Sequence, residues 1–211
     1  MFGTHDLLLF IVSSLLLNIT PGPDFLYVAG RSATQGFSAG FWASLGIGAG
    51  CFVHIFAAAL GLSAILATSA TAFMIVKWLG AAYLVYMGLS MLFSGAPGAA
   101  KTSAKLVPAS PARIFLQGCL TNALNPKVAL FFLAFVPQFI DAASPTKVAA
   151  FLFLGVIFNF NGTLWNIVVA WTSARLLGQI GHASRFGIWI NRVLGTVFVG
   201  LGARLALSEP G

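Results

Sequence analysis

The sequence predicts an all-α integral membrane protein of six transmembrane helices, arranged as two inverted three-helix repeats whose first and fourth helices are broken at proline. Three observations carry this. Only 7% of the 211 residues are charged and 59% are hydrophobic, whereas a soluble domain carries about 25% charged residues because its surface faces water. Apolar stretches of about 20 residues, enough to cross a hydrocarbon core of about 30 Å, recur along the whole chain. Prolines interrupt two of these stretches, the first in each half.

The first span runs from about Asp6 to Ala29 and is interrupted by Thr20-Pro21-Gly22-Pro23-Asp24. A polar stretch, Gly30 to Gly36 with Arg31 inside it, reads as a turn into the second span at about 37–66. The third span covers about 73–94. A cytoplasmic linker at about 95–111, rich in proline and glycine and holding Lys101 and Lys105, then divides repeat one (about 6–94) from repeat two (about 112–207). The fourth span, about 113–140, is interrupted at Asn125-Pro126-Lys127; the fifth and sixth lie at about 146–174 and 188–207. The whole chain, 1–211, reads as a single transmembrane domain.

The halves resemble one another. Lys77-Trp78-Leu79-Gly80 aligns with Arg192-Val193-Leu194-Gly195, and Asn18 and Asn122 each precede a proline break. Three is odd, so two such halves cross the membrane in opposite senses. Under six spans, Arg31, Lys101, Lys105, Arg113, Arg175, Arg185 and Arg192 fall on one side, and Lys77, Lys147 and Arg204 on the other. That bias places the Arg31 and Lys101/Lys105 loops in the cytoplasm and both termini outside. The N-terminus lacks a basic n-region and a small-residue cleavage site, so it is expected to remain as mature helix.

The net charge of +7 is scattered between apolar segments, as for loops beside an anionic leaflet, and no basic run with interleaved aromatics points to nucleic acid. His5, His54 and His182 stand apart without carboxylate or thiol at ligand spacing, so no metal site is expected. No phosphate loop GxxxxGK[ST] and no catalytic triad occur, and no cofactor is expected. Cys51 and Cys119 lie in apolar stretches and read as buried, inert thiols. Gly36/Gly40 and Gly46/Gly50, spaced GxxxG, predict close-packing faces within the bundle or at a homodimer seam.

Candidate chemistry gathers at the breaks. Asn18, Thr20, Pro21, Gly22, Pro23 and Asp24 form the first, and a helix break survives in hydrocarbon only inside protein or beside a wet cavity. Asp24 there is either half of a structural ion pair or an acid lining a substrate path. Asn122, Asn125, Pro126 and Lys127 form the second break. An acid and a base at equivalent breaks are expected to meet near the pseudo-two-fold axis and pair directly. A zwitterion would compete with that pair, its ammonium facing Asp24 and its carboxylate Lys127 or a half-helix N-terminus. On the fifth span Asn159, Thr163 and Asn166 share one face, as cavity lining or as interhelical hydrogen bonds, with Asn161 off it. Gln138, in Val136-Pro137-Gln138-Phe139, reads either as reaching the cavity mouth or as part of a simple helix stop.

Asn18 to Asp24 resembles the signature of the lysine exporter (LysE/RhtB) family of amino-acid efflux proteins. The similarity continues through Gly36 to Gly50, residues 77–88, Leu124 to Lys127 with Phe131 and Phe132, residues 136–139, and the closing helix from Gly195 to Leu205. The resemblance implies a bacterial inner-membrane exporter of amino acids or derivatives, driven by an ion gradient and by proton exchange, in which Asp24 and Lys127 hold the family's motif positions. One deep acid beside one deep base suits a neutral substrate such as homoserine, threonine or leucine better than a dibasic one. A thiol-redox carrier of similar architecture needs a cysteine at each break, where this chain has Asp24 and Lys127. A metal-ion exporter needs more intramembrane acids than it has. A membrane assembly subunit without transport would not need paired intramembrane charges.

Overall fold

The computed structural model describes residues 2–62, 64, 70–93, 107–141 and 143–176, with 192, 196, 199, 200, 202, 203 and 207 near the C-terminus. Most of the expected linker and sixth span, with Lys101, Lys105, His182, Arg185, Gly195 and Arg204, lies outside the described residues.

Among these residues every regular element is a helix. Helices α1 (Leu7–Ile19) and α2 (Pro23–Gln35) meet at 54°. Thr20 precedes a proline and is extended (φ −61°, ψ 121°), because the Pro21 ring excludes it from the helical region. Gly22 is extended too, and Pro23 starts α2 at the helical position where its missing N–H costs nothing. Helix α3 (Phe37–Phe56) runs on as a π turn over Ala57–Leu62, and α4 spans Ala70–Phe93. Helix α5 (Pro111–Ala123) is followed by α6 (Pro126–Leu130), which continues through a π turn (Phe131–Phe135) into a 3-10 turn (Val136–Phe139), with a 45° bend at the break. Helix α7 (Lys147–Leu176) is the longest of these. The segments Phe37–Leu62 and Lys147–Arg175 are each long and apolar enough to cross a bilayer, and each bent pair qualifies if taken as one span.

The polar stretch at 30–36 is not a turn. Helix α2 runs through it to Gln35, and the chain reverses at Gly36, whose φ of 81° a side chain would oppose. Arg31 is not in a solvated loop but 4% exposed. Its guanidinium donates to Gln35 Oε1 (2.8 Å), Gln117 Oε1 (2.7 Å) and the Val107 carbonyl (3.0 Å), and lies over the Tyr27 ring. Ser32 and Thr34 bond back to the carbonyls of Val28 and Gly30, so these hydroxyls are satisfied along their own helix. Arg31→Lys, which replaces a planar fork by a single ammonium, is expected to destabilise the protein by about 1–3 kcal/mol, measured as thermal unfolding in detergent.

Packing crosses between the halves: α3 lies on α5, while α7 lies on α1 and α2. The α3–α5 seam is built of small residues. A Cβ at Gly46 would strike the Phe115 carbonyl, one at Gly50 the Cys119 carbonyl, and one at Gly118 would sit 2.7 Å from the Ala43 carbonyl. Gly40 packs on Ser32 and Ala170, whereas Gly36 has open space around it and serves as the cap, not as a packing face. Near the C-terminus, Gly202 lies against Ala81 and Val85 of α4.

Two apolar clusters fill the interior. One is aromatic, with Phe10, Phe131, Phe135, Phe139 and Phe158 in mutual contact, the Phe131 and Phe158 rings stacked at 4.7 Å. The other joins Val28, Ala39, Ala43, Ile47, Ile114, Val169 and Ala170. Gln138 donates to the Ala134 carbonyl of its own helix, as a helix stop does. The N-terminus is tied to the end of the fourth span: Thr4 bridges Ile140, and His5 N donates to the Phe139 carbonyl.

Candidate functional site

The two breaks face each other and exchange their charged side chains. At the first, Pro21 and Pro23 have no N–H with which to continue the helical ladder, and the Leu17 carbonyl keeps only a 3.2 Å bond from the Thr20 N–H. Lys127, from the second break, donates from Nζ to the carbonyls of Leu17 and Thr20, both at 2.9 Å. In return Asp24, from the first break, accepts at Oδ2 from Asn122 Nδ2 (2.8 Å) and Asn125 Nδ2 (3.0 Å). Asn125 is extended ahead of Pro126 and also caps α6, its Oδ1 accepting from the Lys127 backbone N–H at 3.0 Å.

The expected direct ion pair is therefore not formed: Asp24 and Lys127 make no salt bridge with each other. Each is held by neutral groups that the opposite break exposes. Two amide donors serve one carboxylate oxygen, and two carbonyls at the break serve an ammonium. In this way the bonds that hold the charges also engage backbone carbonyls at the first break.

Between the breaks lies a small cavity of about 20 Å³, room for about one water molecule. Asn18, Thr20, Asp24, Asn122 and Lys127 line it, joined by Asn159, Thr163 and Asn166 of α7. All three residues of the predicted α7 stripe thus reach it, and Asn159 also donates to the Gly48 carbonyl of α3 at 3.1 Å. Asn161 points away, to Ser14. Pro21, Gly22, Pro23, Asn125 and Pro126 do not line the cavity; they shape the breaks around it.

Three lining residues carry a buried polar atom without a partner: Asn18 Nδ2, Asp24 Oδ1 and Asn122 Oδ1. The apolar side of the wall comes from Phe25, Ile47, Val128 and Phe158, with Cys51 and Gly162. Sequence reasoning missed these. Ile47 and Cys51 are spaced i, i+4 on α3, but a helix apolar all round does not advertise which face meets a cavity. Cys51 and Cys119 are both free thiols. His54 sits one turn beyond Cys51, bonded through Nε2 to the Asn122 carbonyl at 2.8 Å and stacked on Phe132.

Two helices of membrane length and two proline-broken helix pairs, packed around a small cavity, have the make-up of a polytopic membrane protein. Residues 15–209 match the family model described as LysE type translocator, and the chain belongs to that family. It is 31% identical to an uncharacterized membrane protein of Pseudomonas aeruginosa, over 98% of this chain and 97% of the relative. It is 28% identical to a leucine efflux protein of Salmonella typhimurium (99% and 98%) and 30% identical to one of Enterobacter sp. (strain 638) (97% and 97%). No solved structure matches it.

Proposed function

We propose that this protein is a secondary-active exporter of neutral amino acids of the leucine, homoserine or threonine type, coupled to the proton gradient across a bacterial inner membrane. The observation that carries this is the set of unpartnered polar atoms around one cavity. Asp24 Oδ1 and Asn122 Oδ1 are acceptors suited to an α-ammonium, Asn18 Nδ2 is a donor suited to an α-carboxylate, and Phe25, Ile47, Val128 and Phe158 offer an apolar wall to an uncharged side chain. A dibasic substrate would bring a second cation to a cavity that has one carboxylate, already beside Lys127. The naming of relatives as leucine efflux proteins supports the same class.

The cavity is too small for an amino acid, so the substrate enters only when the walls part. Support for alternating access comes from the crossed packing and from the two matching breaks, bent by 54° and 45°, which suit inverted three-helix repeats in a single six-helix domain. With Arg31 removed from the loop count, the Lys and Arg bias still favours a cytoplasmic linker and external termini.

The test is uptake of labelled amino acids into proteoliposomes with and without an imposed proton gradient. Gradient-driven accumulation of a neutral amino acid is the expected result. Accumulation of lysine or arginine in preference, or of no amino acid by folded protein, would overturn the reading.

A further inference from the structure

Carbonyls freed where a membrane helix unwinds are the usual seat of a coupling cation in secondary transporters. In this chain the carbonyls of Thr20 and of Leu17, the latter also accepting from Thr20 N–H, receive a cation the protein supplies itself, the Lys127 ammonium. Gly22 packs on it, a Cβ there lying in van der Waals contact with Nζ at 3.4 Å. Two of its three N–H donors are used, and no carboxylate bridges it. Around it the titratable groups are Asp24 on α2 and Cys51 and His54 on α3. Asp24 is committed at Oδ2 to Asn122 and Asn125, and His54 to the Asn122 carbonyl.

We infer that Lys127 is the proton-coupling residue, a tethered cation that changes its charge in place of binding and releasing a free ion. This rests on the exporter reading above. An ammonium held only by neutral carbonyls keeps its seat while charged and is weakened there once it loses its proton. Among the described residues Asp24 is the only carboxylate lining the cavity, and it balances one ammonium. When the substrate ammonium reaches Asp24 Oδ1, two cations share one anion in a low-dielectric site, and Lys127 gives a proton from Nζ to water on the cytoplasmic side. After the amino acid leaves outside, the neutral amine takes a proton from external water and returns to the Leu17 and Thr20 carbonyls. One proton enters for each amino acid exported, with no covalent change. Bonding to the carbonyls also makes Lys127 a tie between the two breaks, so proton loss loosens the contact that holds the cavity shut.

Proton release on binding separates this from a structural role. Purified protein in weakly buffered detergent solution is mixed with leucine, with binding followed by calorimetry and released protons by a pH indicator. Wild type is expected to release a proton for each leucine bound. Lys127→Met, permanently neutral, is expected to bind leucine with affinity changed by less than about tenfold and to release no proton, whereas Lys127→Arg, permanently charged, is expected to bind it more weakly and also to release none. In proteoliposomes Lys127→Met should retain leucine exchange without a gradient, and both variants should lose gradient-driven accumulation. Lys127→Arg keeps a charged donor for the two carbonyls, so it stays folded even where Lys127→Met does not. Binding without release in wild type overturns the inference while leaving the exporter reading standing, as does undiminished release in Lys127→Arg. A folded Lys127→Met that neither binds nor exchanges leucine, or a Lys127→Arg that binds it as tightly as wild type, also overturns it. Absence of binding of any amino acid by wild type removes the exporter reading, and the coupling role falls with it.

Discussion

Asp24→Asn is expected to abolish export, with a loss of about 100-fold or more in initial rate, while the protein remains folded. The substitution is nearly isosteric, so packing against Phe25 and the neighbouring α5 residues is kept. What changes is the sign of the hydrogen bonding. As a carboxylate the side chain accepts two amide N–H groups at Oδ2 and presents a second acceptor, Oδ1. An amide has one oxygen to offer. Turned toward Asn122 and Asn125, it points its own NH2 where the substrate ammonium has to go; turned the other way, it sets donor against donor. A hydrogen bond to a charged partner contributes about 1.5–3 kcal/mol, which corresponds to about one to two decades, and loss of the attraction between charges adds to it. Initial rates in proteoliposomes, beside a thermal unfolding curve, check this. Wild-type rates in a folded Asp24→Asn would remove the acid from the transport path.

The second large effect falls on stability. Gly46→Ala adds a single methyl group, yet the added carbon would press on the carbonyl oxygen of Phe115, and Gly50→Ala would press on that of Cys119. Neither neighbour is a side chain that can rotate aside. To make room α3 and α5 must move apart along the whole seam, and Gly118 against Ala43 shows that it is equally close from the other side. Overpacking against a side chain typically costs about 1–3 kcal/mol; against backbone the expected value is at or above about 3 kcal/mol, a large share of the stability of a domain this size. Gly61→Ala is the matched control, since a Cβ there meets nothing within 4 Å, and it is expected to change stability by less than about 1 kcal/mol. Thermal unfolding of the three variants in detergent would show it: equal curves for Gly46→Ala and Gly61→Ala would mean that the seam is not the close contact described.

Covalent constraints were the most legible part of the sequence. Proline removes a donor whatever surrounds it, so both breaks are where the prolines stand, and α7 begins and ends within two residues of expectation. Periodicity also carried through: Asn159, Thr163 and Asn166 were placed on one face by spacing, and all three reach the cavity. What depended on partners distant in sequence was not legible. Arg31 read as a solvated loop because nothing local shows that Gln117, 86 residues away, will bond it. Asp24 and Lys127 read as a pair because opposite charges are the obvious match. The sequence does not display the competing offer, which is made by side-chain amides and by carbonyls that exist as free acceptors only once the helix has broken. The π turns after α3 and within the fourth span likewise have no composition that announces them.

The exchange of charges between breaks also bears on how the chain is made. Asp24 is synthesised 98 and 101 residues ahead of the two asparagines that hold it. At about 5–20 residues per second the ribosome needs about 5–20 s to supply them. Lys127, by contrast, emerges after Leu17 and Thr20 are already in place. For that interval the acid has neither amide donors nor a counter-charge at membrane depth, and protonation or shelter at the insertion machinery is its means of staying there. A nascent chain that stops before Asn122 lacks both amide donors for that carboxylate, so the first half reaches its final hydrogen bonding only after the second break has been made.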